Sequence, residues 1–513
     1  MTRTRYDAVV VGGGHNGLTA AAYLARAGRS VLVLEQADHL GGATGSSRVF
    51  RGVDARLSRY SYLVSLMPRA VRDELGLALE LRRRRIASYT PVPADPARGL
   101  LVDTGDDGAT RRSFTAVGAA DRPSTTVGFT LEATVLDGGE QVTAITLDTG
   151  RLGRIDPASL TASTFTVHAT ATSPVPIANG EVISSLYDVD RTVTGVTVDR
   201  HGDVVVDLAY GAGVAGASTL GYLSLAARTV DLDLTYTVTQ NAPVLLTSGR
   251  SVTLSGFAQG ALRDAEVDAF SSGVSATGLS YRLFEPTGRS LAGGARPLVV
   301  WLHGNGEGGL PGYYSNEPQL RGNRGALGPA TPEAQAVFGG AYVVAPQVPD
   351  TWYNLDESAY AERLAALLDE LAESHRIDAS RVYVMGASAG GFMSVKLASA
   401  YPERFAALVP TCAALYLAFR GGYLVTEAEI RRLSETPTWF VHAENDPTVP
   451  FAQTSLWAHG LVAGSVLTSY ADVTWDGVGY NGHWSWIYTA RNAPTTADGA
   501  TLWEWMAQQD ADA

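Results

Sequence analysis

The chain has 513 residues, a formal net charge of −13, 45% hydrophobic residues and 18% charged residues. That length holds about three domains at roughly 150 residues each, and the composition supports large cores and excludes wholesale disorder. The acidic balance excludes nucleic acid and an anionic membrane as main partners, and the single cysteine, Cys412, excludes an intrachain disulfide and a multi-cysteine metal site.

The first residues, "MTRTRYDAVVVGGG", place a short apolar run against glycines. This reads as a strand ending in a turn rather than as the core of an export signal. No apolar stretch reaches the ~18 residues of a membrane helix. The expected location is therefore the cytoplasm, in keeping with one free cysteine, and no membrane partner is expected. After the strand "AVVV" come the glycine turn, the helical pattern "LTAAAYLARAG" and a second apolar run "SVLVLE", a β-α-β unit. Gly12, Gly14 and Gly17 form G-x-G-x-x-G between strand and helix. They suit a tight turn, a backbone approach to pyrophosphate and close helix–strand packing. Glu35 closes the second strand, where a carboxylate can bind ribose hydroxyls.

The stretch "DAVVVGGGHNGLTAAAYLARAGRSVLVLEQADHLGGATGS" resembles the opening of phytoene desaturase-like FAD-dependent oxidoreductases. The resemblance implies that Gly41 and Gly42 contact the flavin side of the cofactor. It continues through "RVFRGVDARLSRYSYLVSLMP" and fades near Phe114. That family also needs a substrate domain and a returning glycine-rich segment, and neither follows residue 116. Residues 1–116 are therefore expected to be a partial Rossmann-like fragment, vestigial as an FAD site, with FAD absent. An active FAD-dependent oxidoreductase is the rival reading. The run Arg82 to Arg85 reads as a solvated face.

Residues 117–270 change texture to Thr, Val, Ser and Gly, after a linker at "GAADRP", residues 118–123. "VGFTLEATV" puts Val127, Phe129, Leu131, Ala133 and Val135 on one face, and "VTVDRHGDVVVDL" reads as two strands around a turn at Gly202. The expectation is a β-sandwich. A polymer-binding module is a weaker reading, because Tyr187, Tyr210, Tyr222 and Tyr236 are scattered.

Residues 271–513 alternate apolar strands ("PLVVWLHG", "AYVVAPQ", "RVYVMGAS", "FAALVPT", "TWFVHAE") with helical patterns such as "DESAYAERLAALLDELAESH". This predicts a doubly wound, mostly parallel sheet covered on both faces. Gly386-Ala387-Ser388-Ala389-Gly390 is G-x-S-x-G between a strand and a helix, the pattern of a nucleophile elbow. Ser388 is the expected nucleophile, and the Ala389 amide an expected oxyanion donor. A serine needs a base, and the base needs an orienting carboxylate. Three of the nine histidines follow Ser388. His442 lies inside an apolar strand and reads as packed. His459 follows a helical pattern and reads as surface. His483, in "GVGYNGHWSWIY", sits in a glycine-rich loop and is the expected base. Asp446 ends the strand "TWFVHA" and is the expected acid, with Glu444, Asp472 and Asp476 as weaker rivals. The loop "WLHGNGEGG" should give the second oxyanion amide from Asn305 or Gly306, with His303 tying the loop down. Trp352, Trp484 and Trp486 are candidates for the wall of the acyl pocket or for core.

The motifs "VVWLHGNGEGG", "RVYVMGASAGGFMSVKLASAYPERFAALVPTCA", "WFVHAENDPTVP" and "GHWSW" resemble polyhydroxybutyrate depolymerase-like and prolyl-oligopeptidase-like serine hydrolases, over residues 278–509. The resemblance implies an α/β-hydrolase, and some esterases of this group carry an immunoglobulin-like domain ahead of it. A propeller-bearing peptidase would need a longer β-domain than residues 117–270 provide. Such hydrolases are often exported, which sits against a cytoplasmic location. The expected protein is a serine esterase acting through an acyl-enzyme on a small or polymeric ester, with no cofactor or metal for hydrolysis. A prolyl-oligopeptidase-like serine peptidase is the second alternative.

Overall fold

The computed structural model describes residues 5–42, 45–47, 57–58, 69–77, 86–92, 95–103, 126–254, 256–286, 294–354 and 357–512. The run Arg82 to Arg85, the linker at 118–123 and most of the segment from Arg48 to Pro68 lie outside the described residues. The chain divides into two compact units, Met1–Asp121 and Arg122–Ala513.

In the first unit, Ala8–Val11 pairs in parallel with Val31–Leu34, and helix His15–Arg26 connects them. Gly12 has φ +99°, and a Cβ on Gly17 would fall 1.9 Å from the Gly12 carbonyl, so both turn positions need glycine. The carboxylate of Glu35 accepts from the Gly13 and Ala37 amides at 2.6 and 3.0 Å, and thereby holds the turn. Val11 is 83% exposed and Val9 53%. Strands of a complete Rossmann sheet are buried on both faces; here, among the described residues, Ala21 is the one hydrophobic side chain of this unit in the core.

The second unit begins with two antiparallel-rich sheets. One has three strands, in the order Tyr187–Arg191, Phe165–Thr172, Asp233–Gln240. The other has five, in the order Val193–Val198, Val204–Leu208, Gly139–Leu147, Thr126–Leu136, Gly256–Arg263. The strict alternation of Thr126–Leu136 buries Val127, Phe129, Leu131, Ala133 and Val135. Phe129, Leu131, Phe165, Val167 and Val206 share one core between the sheets, each worth roughly 1.5–3 kcal/mol when removed from water. Arg191 crosses this core with its guanidinium satisfied by the carbonyls of Val142, Ala209 and Gly216 and by the Tyr236 hydroxyl.

The rest is an eight-stranded sheet, in the order Phe270–Val274, Ser280–Phe284, Tyr342–Gln347, Arg296–Leu302, Ile377–Ala387, Ala407–Thr411, Trp439–Ala443, Val466–Tyr470. Ser280–Phe284 pairs antiparallel with both of its neighbours, Phe270–Val274 and Tyr342–Gln347, and the remaining neighbours are parallel. Two large apolar clusters flank the sheet, one holding helices Glu357–Ser374 and Ala389–Ala400, the other Pro332–Phe338 and Leu502–Ala507. The β-sandwich is tied to this domain through buried or half-buried charges. Arg324 pairs with Glu266 at 2.6 Å and donates to the Val135 carbonyl, while Arg491 pairs with Asp137 at 2.9 Å. Arg228 donates to the carbonyls of Gly309 and Asp350.

Candidate active site

Ser388 stands between strand Ile377–Ala387 and helix Ala389–Ala400 with φ 55° and ψ −114°, a conformation that a non-glycine residue holds only when its surroundings over-determine it. The surroundings do so. Its amide donates to Thr411, its carbonyl accepts from Phe392 and Ala414, and a Cβ on Gly390 would lie 1.9 Å from the Leu302 carbonyl. The sharp turn lifts the Ser388 side chain off the sheet at the start of a helix.

The turn Gly482–Trp484 carries His483, whose amide is held by the Asn481 side chain at 2.9 Å. His483 Nε2 lies 2.9 Å from Ser388 Oγ, and Nδ1 lies 2.7 Å from Asp446 Oδ2. A carboxylate takes only a donor, so Nδ1 carries the proton and Nε2 is free to accept from the serine hydroxyl. Asp446 follows strand Trp439–Ala443, and its other oxygen accepts from the Thr448 and Val449 amides, both at 2.8 Å. Burial would raise this carboxyl. The hydrogen bonds from His442 and His483, with the Val449 amide, outweigh burial and hold it well below the usual carboxylate range. The structure thus brings together the serine, histidine and aspartate that motif and chain order single out.

His442 is packed in its strand, as expected, and it also reaches this network. Its Nε2 faces Asp446 Oδ2 at 3.1 Å and the Val449 carbonyl at 3.2 Å, so it must be protonated there, leaving Nδ1 to accept from Ser455 Oγ at 2.8 Å. No motif announces this contact. The loop from Pro447 to Pro450 folds back and sets the strand histidine under the carboxylate. His459 is half-buried and bonds Ser465. Glu444 is exposed and accepts from Ser469, Asp472 accepts from Thr474, and Asp476 sits in a turn with φ 48°.

A cavity of about 610 Å³ opens over Ser388 and His483. Asn305 and Gly306 line it from a single turn that follows strand Arg296–Leu302, and Ala389 is buried at the first position of the elbow helix. His303 ties that turn down. Its Nδ1 donates to the Gly304 carbonyl at 2.6 Å, and its Nε2 accepts from the Val348 amide at 3.2 Å. Burial holds the imidazole down at about 4, hence neutral. Trp484 and Trp486 line the cavity, but Trp352 does not. It is fully buried and donates Nε1 to the His303 carbonyl, so it belongs to the core that backs the loop. Its neighbour Tyr353 lines the cavity instead, with its phenol beside the Ser388 hydroxyl, and burial pushes that phenol up. The β-sandwich contributes lining residues too, among them Asp137, Ser184, Tyr222 and Thr229. Glu307 also lines the cavity, and burial pushes its carboxyl up to about 7.

A doubly wound sheet with an elbow serine, a histidine and a buried aspartate at the strands' C-terminal ends defines an α/β-hydrolase-fold protein. The comparisons with known proteins agree, domain by domain. Residues 350–420 match the prolyl oligopeptidase family, residues 129–253 the esterase Ig-like N-terminal domain, and residues 10–72 the NAD(P)-binding Rossmann-like domain. The chain therefore combines an esterase Ig-like domain with a prolyl-oligopeptidase-family α/β-hydrolase, behind an N-terminal Rossmann-like fragment. The crystal structure of a thermostable esterase superposes with a TM-score of 0.60 at 25% identity, covering 74% of this chain and 99% of that one. The N-terminal fragment has other relatives. Proteins of Mycobacterium tuberculosis and Mycobacterium bovis are 54% identical over 117 residues, and the pyridine nucleotide-disulfide oxidoreductase domain-containing protein 2 of Rattus norvegicus is 40% identical over 110 residues, 20% of this chain and 19% of that one. The mycobacterial matches cover 22% of this chain, and the chain spans 22% of the length of those relatives. Among the described residues, no helix is long and apolar enough to cross a membrane.

Proposed function

We propose that this protein is a serine esterase working through an acyl-enzyme. One observation carries the reading: Ser388 Oγ, His483 and Asp446 form a continuous hydrogen-bonded relay, 2.9 and 2.7 Å long in its two links, at the floor of an open cavity. In the first step Ser388 Oγ attacks the ester carbonyl carbon while its proton passes to His483 Nε2. Asp446 keeps the imidazole in the right tautomer and stabilises its charge. The carbonyl oxygen takes up the electron pair and is met by the Ala389 amide and by an amide of the Asn305–Gly306 turn. The intermediate collapses, the alcohol leaves with the proton from His483, and water activated by the same imidazole releases the acid. The relay supports nucleophilic hydrolysis, and the likeness to an esterase favours an ester over a peptide.

Hydrolysis in this scheme uses no cofactor. The Gly12–Gly17 turn has the shape of a phosphate cradle, with Gly12 and Gly14 leaving open space where a Cβ would stand. Glu35, however, is engaged with the turn's own amides, and the sheet around it exposes Val9 and Val11. We read it as a vestigial dinucleotide site, and no step of hydrolysis runs through it. The test of the main reading is Ser388→Ala, assayed with an activated p-nitrophenyl ester. Loss of turnover by several orders of magnitude in a folded variant is expected. Retention of a tenth of wild-type turnover contradicts the assignment.

A further inference from the structure

The hydrolytic relay leaves Glu307, an ionisable group in the lining of the cavity, without a task. Glu307 follows Asn305 and Gly306 on the same turn, two residues or fewer from the expected oxyanion amides. Among the described residues no cation pairs with its carboxyl. The nearest guanidinium by charge, Arg228, is committed to the carbonyls of Ala227, Gly309 and Asp350. Its side-chain partner is the Asn323 amide, at the long distance of 3.5 Å.

Two glycines let this carboxyl pack close to the nucleophile. A Cβ on Gly304 would stand 3.1 Å from Glu307 Oε2 and 3.9 Å from Ser388 Cβ, and a Cβ on Gly322 would stand 3.2 Å from Glu307 Oε1. Both positions are glycine, and both line the cavity. The carboxyl therefore packs directly against these two glycines, which leaves Oε2 no more than about 7 Å from Ser388 Cβ, in the lining of the same cavity. An under-partnered polar group in the lining of a substrate cavity discriminates between ligands that can bond it and ligands that cannot.

We propose that Glu307 is a specificity-determining residue, which hydrogen-bonds an oxygen substituent on the acyl group and so selects alkoxy- or hydroxyacyl esters over plain alkyl esters. The inference rests on the esterase reading of the same site. The charged and titratable groups that Glu307 feels are Arg228, His483 and Tyr222. Burial is the largest influence and keeps the carboxyl protonated up to about pH 7, so below that it donates to an ether oxygen and above it cannot.

The test uses the full chain and two probes, p-nitrophenyl methoxyacetate and p-nitrophenyl butyrate. Comparing their kcat/KM ratio between wild type, Glu307→Gln and Glu307→Leu cancels the intrinsic reactivity of the two esters and the catalytic steps they share. At pH 6 the ratio should fall about tenfold in Glu307→Leu and persist in Glu307→Gln, whose amide still donates. In wild type it should decline as pH rises through 7, and in Glu307→Gln it should stay flat. A ratio in Glu307→Leu within twofold of wild type, or a wild-type ratio that does not change with pH, overturns the proposal. A second comparison does not depend on turnover. Binding of methyl methoxyacetate and methyl butyrate is measured by ligand-observed NMR in Ser388→Ala and in Ser388→Ala with Glu307→Leu. A preference for the methoxy ester lost in the double variant supports the role of Glu307, and equal preference in both overturns it. Failure of the esterase reading would show separately, as hydrolysis that survives Ser388→Ala.

Discussion

Replacing His442 by Leu tests whether the relay has a fourth member. In the structure Asp446 receives four hydrogen bonds, from His483, His442 and the Thr448 and Val449 amides. The substitution removes one of them and leaves the Ser455 hydroxyl without its imidazole partner. A hydrogen bond to a charged group contributes about 1.5–3 kcal/mol, and a tenfold change in rate corresponds to about 1.4 kcal/mol. If most of that loss reaches the transition state through a looser Asp446, kcat falls about 10- to 100-fold, well short of the ~10⁴ expected when the carboxylate itself is neutralised by Asp446→Asn. His442→Gln, which keeps a donor at similar reach, should restore part of kcat. The assay is kcat and kcat/KM for a p-nitrophenyl ester from pH 4.5 to 8.5, with circular dichroism to confirm folding. A folded His442→Leu protein within twofold of wild type would refute the reasoning and return His442 to plain strand packing.

His483→Ala should match Ser388→Ala in its loss of turnover, and the double variant should be little worse than either, because relay members act as a unit; additive losses in kcat would contradict this. Deleting residues 1–116 should leave ester hydrolysis intact, and the full-length protein should show no stoichiometric flavin by absorbance. A flavin-to-protein ratio near one, or loss of hydrolysis in a folded truncation, would oppose that expectation. Glu307 also carries a stability signature. Its folded-state carboxyl titrates near 7 against an ordinary 4.5, so between those values the native state holds a proton that the unfolded chain has released, and stability falls as pH rises through that window. The loss is at most about 3 kcal/mol at ~1.4 kcal/mol per unit, and smaller where cavity water screens the charge. Glu307→Gln should remove this dependence, so the stability difference between variant and wild type in urea unfolding should grow from pH 4.5 to 7; parallel curves would contradict it.

The parts legible in the sequence are those governed by local periodicity and by order along the chain. Val127 to Val135 alternate because one face of an antiparallel strand meets a core, and that pattern needs no partner to be seen. Ser388 announces itself because only small neighbours tolerate its turn. Asp446 and His483 follow from strand ends and loop chemistry downstream of it. What escaped depends on how distant segments fold together. His442 reaches Asp446 only because the loop through Val449 turns back under the strand. Trp352 and Tyr353 are neighbours in sequence, yet one points into the core and the other to the cavity, a choice made by the packing of the "PQVPDTWYN" segment against the His303 loop. Glu307 belongs to no motif, and its place beside the nucleophile depends on Gly304 and Gly322 flanking it in the fold. The share of the cavity lined by the β-sandwich follows from domain docking through Arg324, Arg491 and Arg228, which no periodicity encodes.

The central claim is that Ser388 is an activated nucleophile, and covalent labelling tests it most directly. The full-length protein is treated with a p-nitrophenyl phosphonate, and the labelled residue is identified by peptide mass spectrometry, alongside Ser388→Ala and His483→Ala. The account predicts one phosphonyl group per chain on Ser388, none in the Ser388→Ala protein, and labelling slowed by orders of magnitude in His483→Ala, where no base takes the serine proton. Stoichiometric labelling of another residue, or labelling of Ser388 at the same rate without His483, would contradict it.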